Sequence, residues 1–346
     1  ANDGLLEFHH LDKNYFDDNS YFEYESDFIK IKYSGKELTE EINVKEGKIL
    51  DYQKTKNIYI PAERNFVSAN SNLERYNNGK FDNILGFIYD WFPAKRRIDI
   101  QNSFPILNFD INYYYKEGID VDMLFLNKEK KPIPLKTGSS GLQSVIPLLV
   151  IFEYLIKNIY DDKPSVSVIE FEHTKSLIEN LIFNYSNAGL EILQNKTKTL
   201  NNNRTFDNFS QFIIEEPEQN LFPSTQRDLI YHLLKNLQSD RREHTLTITT
   251  HSPYILYALN NCMLGGLVYS QLEGSEKEDY LNNEFASKNS RIDPRFVSVW
   301  EIEDGKIRSI QDKDGIISKN YFDQKMTELM DEYYLTLNYY KDEDER

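Results

Sequence analysis

Two strand-like runs in this chain end in side chains that can handle protons. Phe212-Ile213-Ile214 is followed directly by Glu215-Glu216-Pro217-Glu218, and Thr247-Ile248-Thr249-Thr250 by His251-Ser252-Pro253. An acid pair set against three apolar strand residues is costly unless it is used. Glu216 can accept a proton from a water attacking a phosphoryl group, provided its neighbours orient and partly desolvate it. Glu215 can reach a magnesium ion through water, because a hard cation beside phosphates keeps several of its waters. The His251 imidazole can hydrogen bond a phosphate oxygen or the same water. Each residue also has a plainer reading: acids cap helix N-termini, which suits Glu218, and a lone histidine at a strand end is often structural. Glu216 and His251 at one sheet edge tip the balance toward chemistry.

The elements around them must put both strand ends on that edge. Residues 211–250 read as strand, helix and strand, with Leu229, Ile230, Leu233, Leu234 and Leu237 forming one helical stripe. A right-handed crossover makes the two strands parallel, with both carboxyl ends together. Ligands of open α/β sheets bind along such an edge.

A phosphate-gripping loop of the form GxxxxGK[ST] should accompany this arrangement. Only Gly35, Gly47, Gly79 and Gly305 precede a lysine, and the residues that follow are Glu37, Ile49, Phe81 and Ile307, none of them Ser or Thr. A second candidate phosphate site is the segment Thr137-Gly138-Ser139-Ser140-Gly141-Leu142-Gln143 before the apolar helix at 145–156. Ser140 to Gln143 reads as an S-x-x-Q capping box at a helix N-terminus, and the small side chains and hydroxyls around it allow close backbone approach. A well-capped core helix is the plainer reading.

These three segments, in this order, resemble the ABC-type ATPase heads of the SMC/RecF-like class, and more closely the OLD-like and related bacterial AAA ATPases. Ser139 to Gln143 looks like the signature motif, Phe212 to Glu216 like the Walker B strand, Pro217 to Pro223 like the start of the D-loop, and His251 like the switch histidine. Tyr59-Ile60-Pro61-Ala62-Glu63-Arg64 is similar to a segment that such relatives carry ahead of the signature. The motifs cover about 40 residues, and their order extends the match over 58–260. The resemblance implies an α/β, P-loop NTPase-like sheet with a helical signature subdomain. It also implies a homodimer, assembled head to tail around two ATP molecules with Mg2+. Glu216 and His251 would be catalytic and Glu215 would meet the metal through water, while Ser139, Ser140, Gly141 and Gln143 would serve the partner's nucleotide. Binding would then act as a switch as much as a reaction, in a bacterial DNA-repair or phage-defence system.

The chain departs from the pattern in three places. Glu215 stands where aspartate is common, Phe222 where many relatives have histidine, and the Walker A segment is missing. The expectation is therefore a truncated sequence that hydrolyses little ATP by itself. On this reading residues 1–60 are the remnant of an N-terminal lobe with antiparallel strands, and 61–160 lead into the signature. Residues 161–210 are an insertion, 211–315 form the Walker B and switch-histidine lobe with later strands, and 316–346 are a helix with an acidic tail. Strands are expected at 28–33, 38–44, 57–61, 106–115, 123–126, 165–171, 267–269 and 297–302, with turns at 34–36, 46–48 and 303–306. Helices are expected within 73–92, at 172–194 and over 318–338.

Composition narrows the alternatives. The 346 residues can bury a large core, and one elaborate domain with insertions is the simplest plan. The single Cys262 forms no internal disulfide, which suits a reducing cytoplasm. No apolar run reaches the roughly 20 residues of a membrane span, and the start has no signal-peptide pattern. A net charge of −16 argues against a surface built to neutralise nucleic-acid phosphates. The tight basic cluster Lys95-Arg96-Arg97 reads as a solvated loop or helix end. Two rival functions remain. One is a nuclease with Glu215, Glu216 and Glu218 as metal ligands, although two-metal sites draw carboxylates from several elements. The other is a non-catalytic scaffold, suggested by 24 tyrosines and 21 phenylalanines.

Overall fold

Short runs of β-branched and aromatic residues build most of the strands. The computed structural model describes residues 12, 15–25, 30–34, 37–41, 55–70, 73, 76, 83–157, 209–239, 243–272 and 274–344. These residues form a mixed α/β fold with parallel and antiparallel sheets. The chain divides into two compact units, Ala1–Asn220 with Asp240–Thr249, and Leu221–Ser239 with Thr250–Arg346.

In the first unit, strands β1 (Tyr21–Glu25), β2 (Lys30–Ser34) and β3 (Glu37–Glu41) form an antiparallel meander. The Phe22 ring stacks on buried Tyr33 at 5.3 Å. The expected β2–β3 pairing is thus present, while its turn at 35–36, the turn at 46–48 and the elements expected over 161–208 lie outside the described residues. Strand β4 (Thr55–Ile60) stops at Pro61, whose missing N–H ends the ladder. A 3-10 turn (Ala62–Asn65), helix α1 (Phe66–Ala69) and helix α2 (Asn83–Lys95) follow. Next come the strands β5 (Phe104–Pro105), β6 (Ile111–Lys116), β7 (Val121–Leu126) and β8 (Lys131–Pro134), paired antiparallel in chain order.

Helix α3 (Ser140–Lys157) is the core helix of this unit, with every residue from Ser144 to Phe152 buried. By length and composition it could cross a membrane, but 67% of it is buried inside the protein, as in a core helix. Strands β9 (Phe209–Glu215) and, after a passage through helix α4 (Pro223–Leu237) of the second unit, β10 (Thr245–Thr249) complete a parallel sheet of order β10-β9-β4. The register aligns Ile58, Phe212 and Leu246 on one face, and Ile60, Ile214 and Ile248 beside them. Alternation along a strand puts these six on the face that Phe152 of α3 meets, its ring 4.5 Å from that of Phe212. The parallel pairing expected of β9 and β10 is therefore found, and β4 ends on the same edge.

In the second unit, α4 buries Leu229, Ile230, Leu233 and Leu234 and packs on helix α5 (Pro253–Leu272). Residues 267–269, expected as a strand, belong to α5. Helix α6 (Glu276–Glu284) occupies part of the expected polar excursion, and strands β11 (Trp300–Glu303) and β12 (Lys306–Ser309) form a hairpin. Asp304 and Gly305 both have positive φ, 49° and 71°, as a type I′ turn requires. Leu256, Met263, Val299, Ile310 and Ile317 make a core cluster against which Phe322 packs. Phe322 lies in the first turn of helix α7 (Tyr321–Asp344).

Candidate functional site

The carboxyl edge of the parallel sheet is organised by a residue that the sequence places only within the Tyr59–Arg64 segment, with no role of its own. Arg64 is 0% exposed. It emerges from the 3-10 turn that Pro61 starts at the end of β4, so its guanidinium sits where β9 also ends. Nη1 donates to the carbonyls of Pro61 (3.2 Å) and Glu215 (2.9 Å), and Nη2 donates to that of Glu216 (2.7 Å). Nε donates to the carbonyl of Ser144 in α3 (3.2 Å). A guanidinium with its rigid fork of donors can bridge so many acceptors where an ammonium cannot. Burial pulls its pKa down to about 10, against the opposing fields of Glu218, Glu216 and Glu215, so Arg64 stays charged at neutral pH.

Glu216 has a left-handed backbone, with φ 41°. Such a conformation in a residue with a side chain costs on the order of 1 kcal/mol and persists only where the surroundings impose it. Here its N–H donates to the Thr249 carbonyl of β10 at 2.9 Å, and its carbonyl is taken by Arg64. Pro217 behind it is buried, and Gln219 N–H closes the turn onto the Glu216 carbonyl at 3.1 Å. The chain therefore leaves the sheet abruptly at Glu216, and both glutamates are half-buried. Glu215 accepts a hydrogen bond from the Tyr59 hydroxyl of β4. Burial first, and this bond second, push the Tyr59 phenol well above its ordinary range.

Helix α3 is tied to the same edge by its own sequence. Pro147 has no N–H for the carbonyl four residues back, Gln143. That freed oxygen accepts the Ser68 hydroxyl at 2.8 Å, while Arg64 takes the next carbonyl, Ser144. At the helix start the capping differs from the expected Ser140–Gln143 box. The helix begins at Ser140, so Ser139 is the cap: its Oγ accepts Leu142 N–H at 3.4 Å and its carbonyl accepts Gln143 N–H at 3.0 Å. The Gln143 amide instead braces the preceding turn, donating to the carbonyls of Lys136 (3.0 Å) and Gly138 (2.9 Å). Ser139 and Ser140 are exposed, and Gly141 and Gln143 are half-buried.

His251 belongs to the second unit, two residues beyond the end of β10, and is exposed. The helix start expected after it is there. Ser252 Oγ accepts Tyr254 N–H at 3.1 Å, and its hydroxyl donates to Gln226 Oε1 at 2.5 Å. Gln226 Nε2 donates to the Leu221 carbonyl at 2.8 Å, so one side chain holds the starts of α4 and α5 together beneath the histidine.

Glu215 and Glu216 suit a magnesium ion that takes one or two carboxylates and completes its shell with phosphates and water. Gln219 Oε1 in the same turn is buried without a hydrogen-bond donor, an acceptor that a metal-bound water would satisfy. Among the described residues no three His, Cys, Asp or Glu side chains converge on a common point. The basic cluster departs from expectation. Arg96 and Arg97 are exposed, but Lys95 is 3% exposed, with Nζ 3.2 Å from Asp120 Oδ1 and 3.7 Å from Asp122 Oδ2 and lying over the Tyr115 ring at 4.4 Å. Burial pushes the Asp122 carboxyl up, against the pull of Lys95. A small pocket of about 60 Å3 opens beside this group, lined by the paired Lys95, Asp120 and Asp122 and by Lys136.

No family model and no curated protein matches the chain.

Proposed function

We propose that the chain is the catalytic part of an ATP-binding and hydrolysing switch module, an ABC-type head of the SMC/RecF/OLD-like class, acting in the cytoplasm. The supporting observation is the edge itself. Around one buried guanidinium it gathers the turn after β4, the acid pair after β9 and the second turn of α3. A phosphate-gripping loop is absent from these residues and is supplied from elsewhere in the working enzyme.

In this reading Glu216 orients the attacking water and takes its proton, its half-buried carboxylate fixed by the left-handed backbone. Glu215 holds magnesium through water, with Tyr59 fixing the carboxylate's rotamer. The ion supplies charge neutralisation at the β- and γ-phosphates. His251 donates to a γ-phosphate oxygen. The exposed start of α3 at Ser139, Ser140, Gly141 and Gln143 offers its hydroxyls and backbone to the nucleotide of a head-to-tail homodimer partner. Arg64 is a positioning residue that couples the acid to α3. The system served is one of bacterial DNA repair or phage defence.

The test joins the chain to a segment bearing GxxxxGK[ST]. The joined protein is expected to hydrolyse ATP, and Glu216→Gln to abolish turnover while ATP still binds. Turnover that survives Glu216→Gln rejects the assignment.

A further inference from the structure

Helix α7 is 24 residues long and, among the described residues, is held at its root alone. Asn320 caps it, its Oδ1 accepting Phe322 N–H at 3.0 Å and Asp323 N–H at 3.2 Å, and Phe322 enters the core cluster. Glu301 Oε2 accepts Tyr321 N–H at 2.7 Å. Beyond that turn none of residues 323–340 is buried. Nine large apolar side chains of this helix are exposed, among them Met326 (59%), Leu329 (64%), Tyr333 (56%) and Tyr340 (69%). Six of the nine, Met326, Leu329, Met330, Tyr333, Tyr334 and Tyr340, share one side of the helix, and an apolar face of this size is unfavourable in water, where helices draw most of their stability from packing an apolar face.

The order of these residues specifies what covers them. Met326, Met330, Tyr333, Leu337 and Tyr340 are spaced by four, three, four and three, the alternation that lines a seam when two helices supercoil. The positions beside the seam are Thr327, Leu329, Tyr334 and Thr336, all uncharged. The charges Lys325, Glu328, Asp331 and Glu332 fall on the outer positions, where Lys325 and Glu328 pair at 2.7 Å. A charged partner helix would find nothing to read beside this seam. A second copy of the same helix, however, meets it without like-charge repulsion, although the whole chain carries −16. The apolar area available comes to roughly 700 Å2 per copy, near the ~800 Å2 per partner of a standard interface.

We propose that α7 is a self-association surface that pairs two copies of this chain through the Met326–Tyr340 seam, without nucleotide. This pairing is separate from the ATP-dependent contact proposed above and stands or falls without it.

Sedimentation of the full chain in nucleotide-free buffer tests the proposal. Wild type is expected at twice the chain mass of 40.9 kDa, and the double variant Met330→Asp, Leu337→Asp at the single mass. Glu328→Gln with Asp331→Asn, on the outer face, should leave the doubled mass unchanged. Both altered residues of the seam variant lie on an unburied stretch, and an unchanged far-ultraviolet spectrum outside a small loss at this helix checks that the rest has folded. Wild type sedimenting as a single chain at every dilution, at any multiple other than two, or as a dimer that the seam variant leaves intact would overturn the proposal.

Discussion

Arg64 meets Glu216 through the peptide: Nη2 donates to the carbonyl at 2.7 Å, and all four of the guanidinium's hydrogen bonds go to backbone oxygens. Removing it leaves four carbonyls at a buried edge short of a donor and opens a cavity. Arg64→Ala is expected to destabilise the first unit by about 3 kcal/mol, a fall in Tm of roughly 6–12 °C. Arg64→Lys should recover less than half of this, because one ammonium cannot span acceptors from three segments. Thermal unfolding reads both, and a fall of under about 2 °C for Arg64→Ala would show that the hub is dispensable.

Glu216 is the place where stability and chemistry pull apart. Glycine adopts φ 41° without a Cβ penalty, so Glu216→Gly is expected to stabilise by about 1 kcal/mol. Glu216→Gln keeps the backbone penalty and should leave stability unchanged. In the P-loop-bearing enzyme both should lower turnover by at least ~100-fold. Urea unfolding beside a phosphate-release assay checks the pair, and a destabilised glycine variant would mean that the backbone there is unstrained.

Pro147 and Ser68 form a donor exchange that a double-mutant cycle can measure. Ser68→Ala alone leaves the Gln143 carbonyl without its 2.8 Å donor, at an expected 1–2 kcal/mol. Pro147→Ala alone returns an N–H to that carbonyl. Combined, the two changes should cost about 1 kcal/mol less than Ser68→Ala predicts by addition. Strict additivity in denaturant unfolding would refute the link.

Cys262 is fully buried, and burial pushes its thiol from 9.0 up to about 12. A folded pKa raised in this way gives stability that is whole below the unfolded value near 9 and is lost as pH rises toward 12. The folded thiol keeps a proton that the unfolded chain releases. Between pH 8 and pH 10 the wild type should therefore lose about 1.4 kcal/mol more than Cys262→Ala. Urea unfolding of both at the two pH values measures the difference, and parallel loss in the two proteins would place the thiol in contact with solvent.

Local pattern suffices for the parallel sheet, the core helix α3, the helix start after His251 and the turn at 303–306. The runs ending at Ile60 and Ile214 are apolar strands and that ending at Thr249 an alternating one, bounded by Pro61, the acid pair and Thr250-His251, and the parallel pairing of the last two follows from chain chirality. Residues 267–269 suggest a strand because the apolar run Leu267-Val268-Tyr269 follows Gly265-Gly266, an unfavourable pair inside a helix. In α5 that glycine pair is a packing notch: a Cβ on Gly266 would sit 2.3 Å from the Ile292 carbonyl oxygen. Lys95 read as solvated because its acids lie 25 and 27 positions away, across a chain reversal that periodicity does not encode. Arg64 stands in a recognisable segment, but its role is illegible for the same reason, since its acceptors at Ser144, Glu215 and Glu216 are 80, 151 and 152 residues distant.

One hydrogen bond at Glu216's backbone closes the turn from Gln219, and two others tie it to Thr249 and Arg64, outside the turn that bears the acids. The heptapeptide from Ile214 to Asn220 is thus not a portable cassette. Transplanted onto another strand, it would deliver its carboxylates without their aim, because the information fixing their direction is written in two distant stretches of the chain.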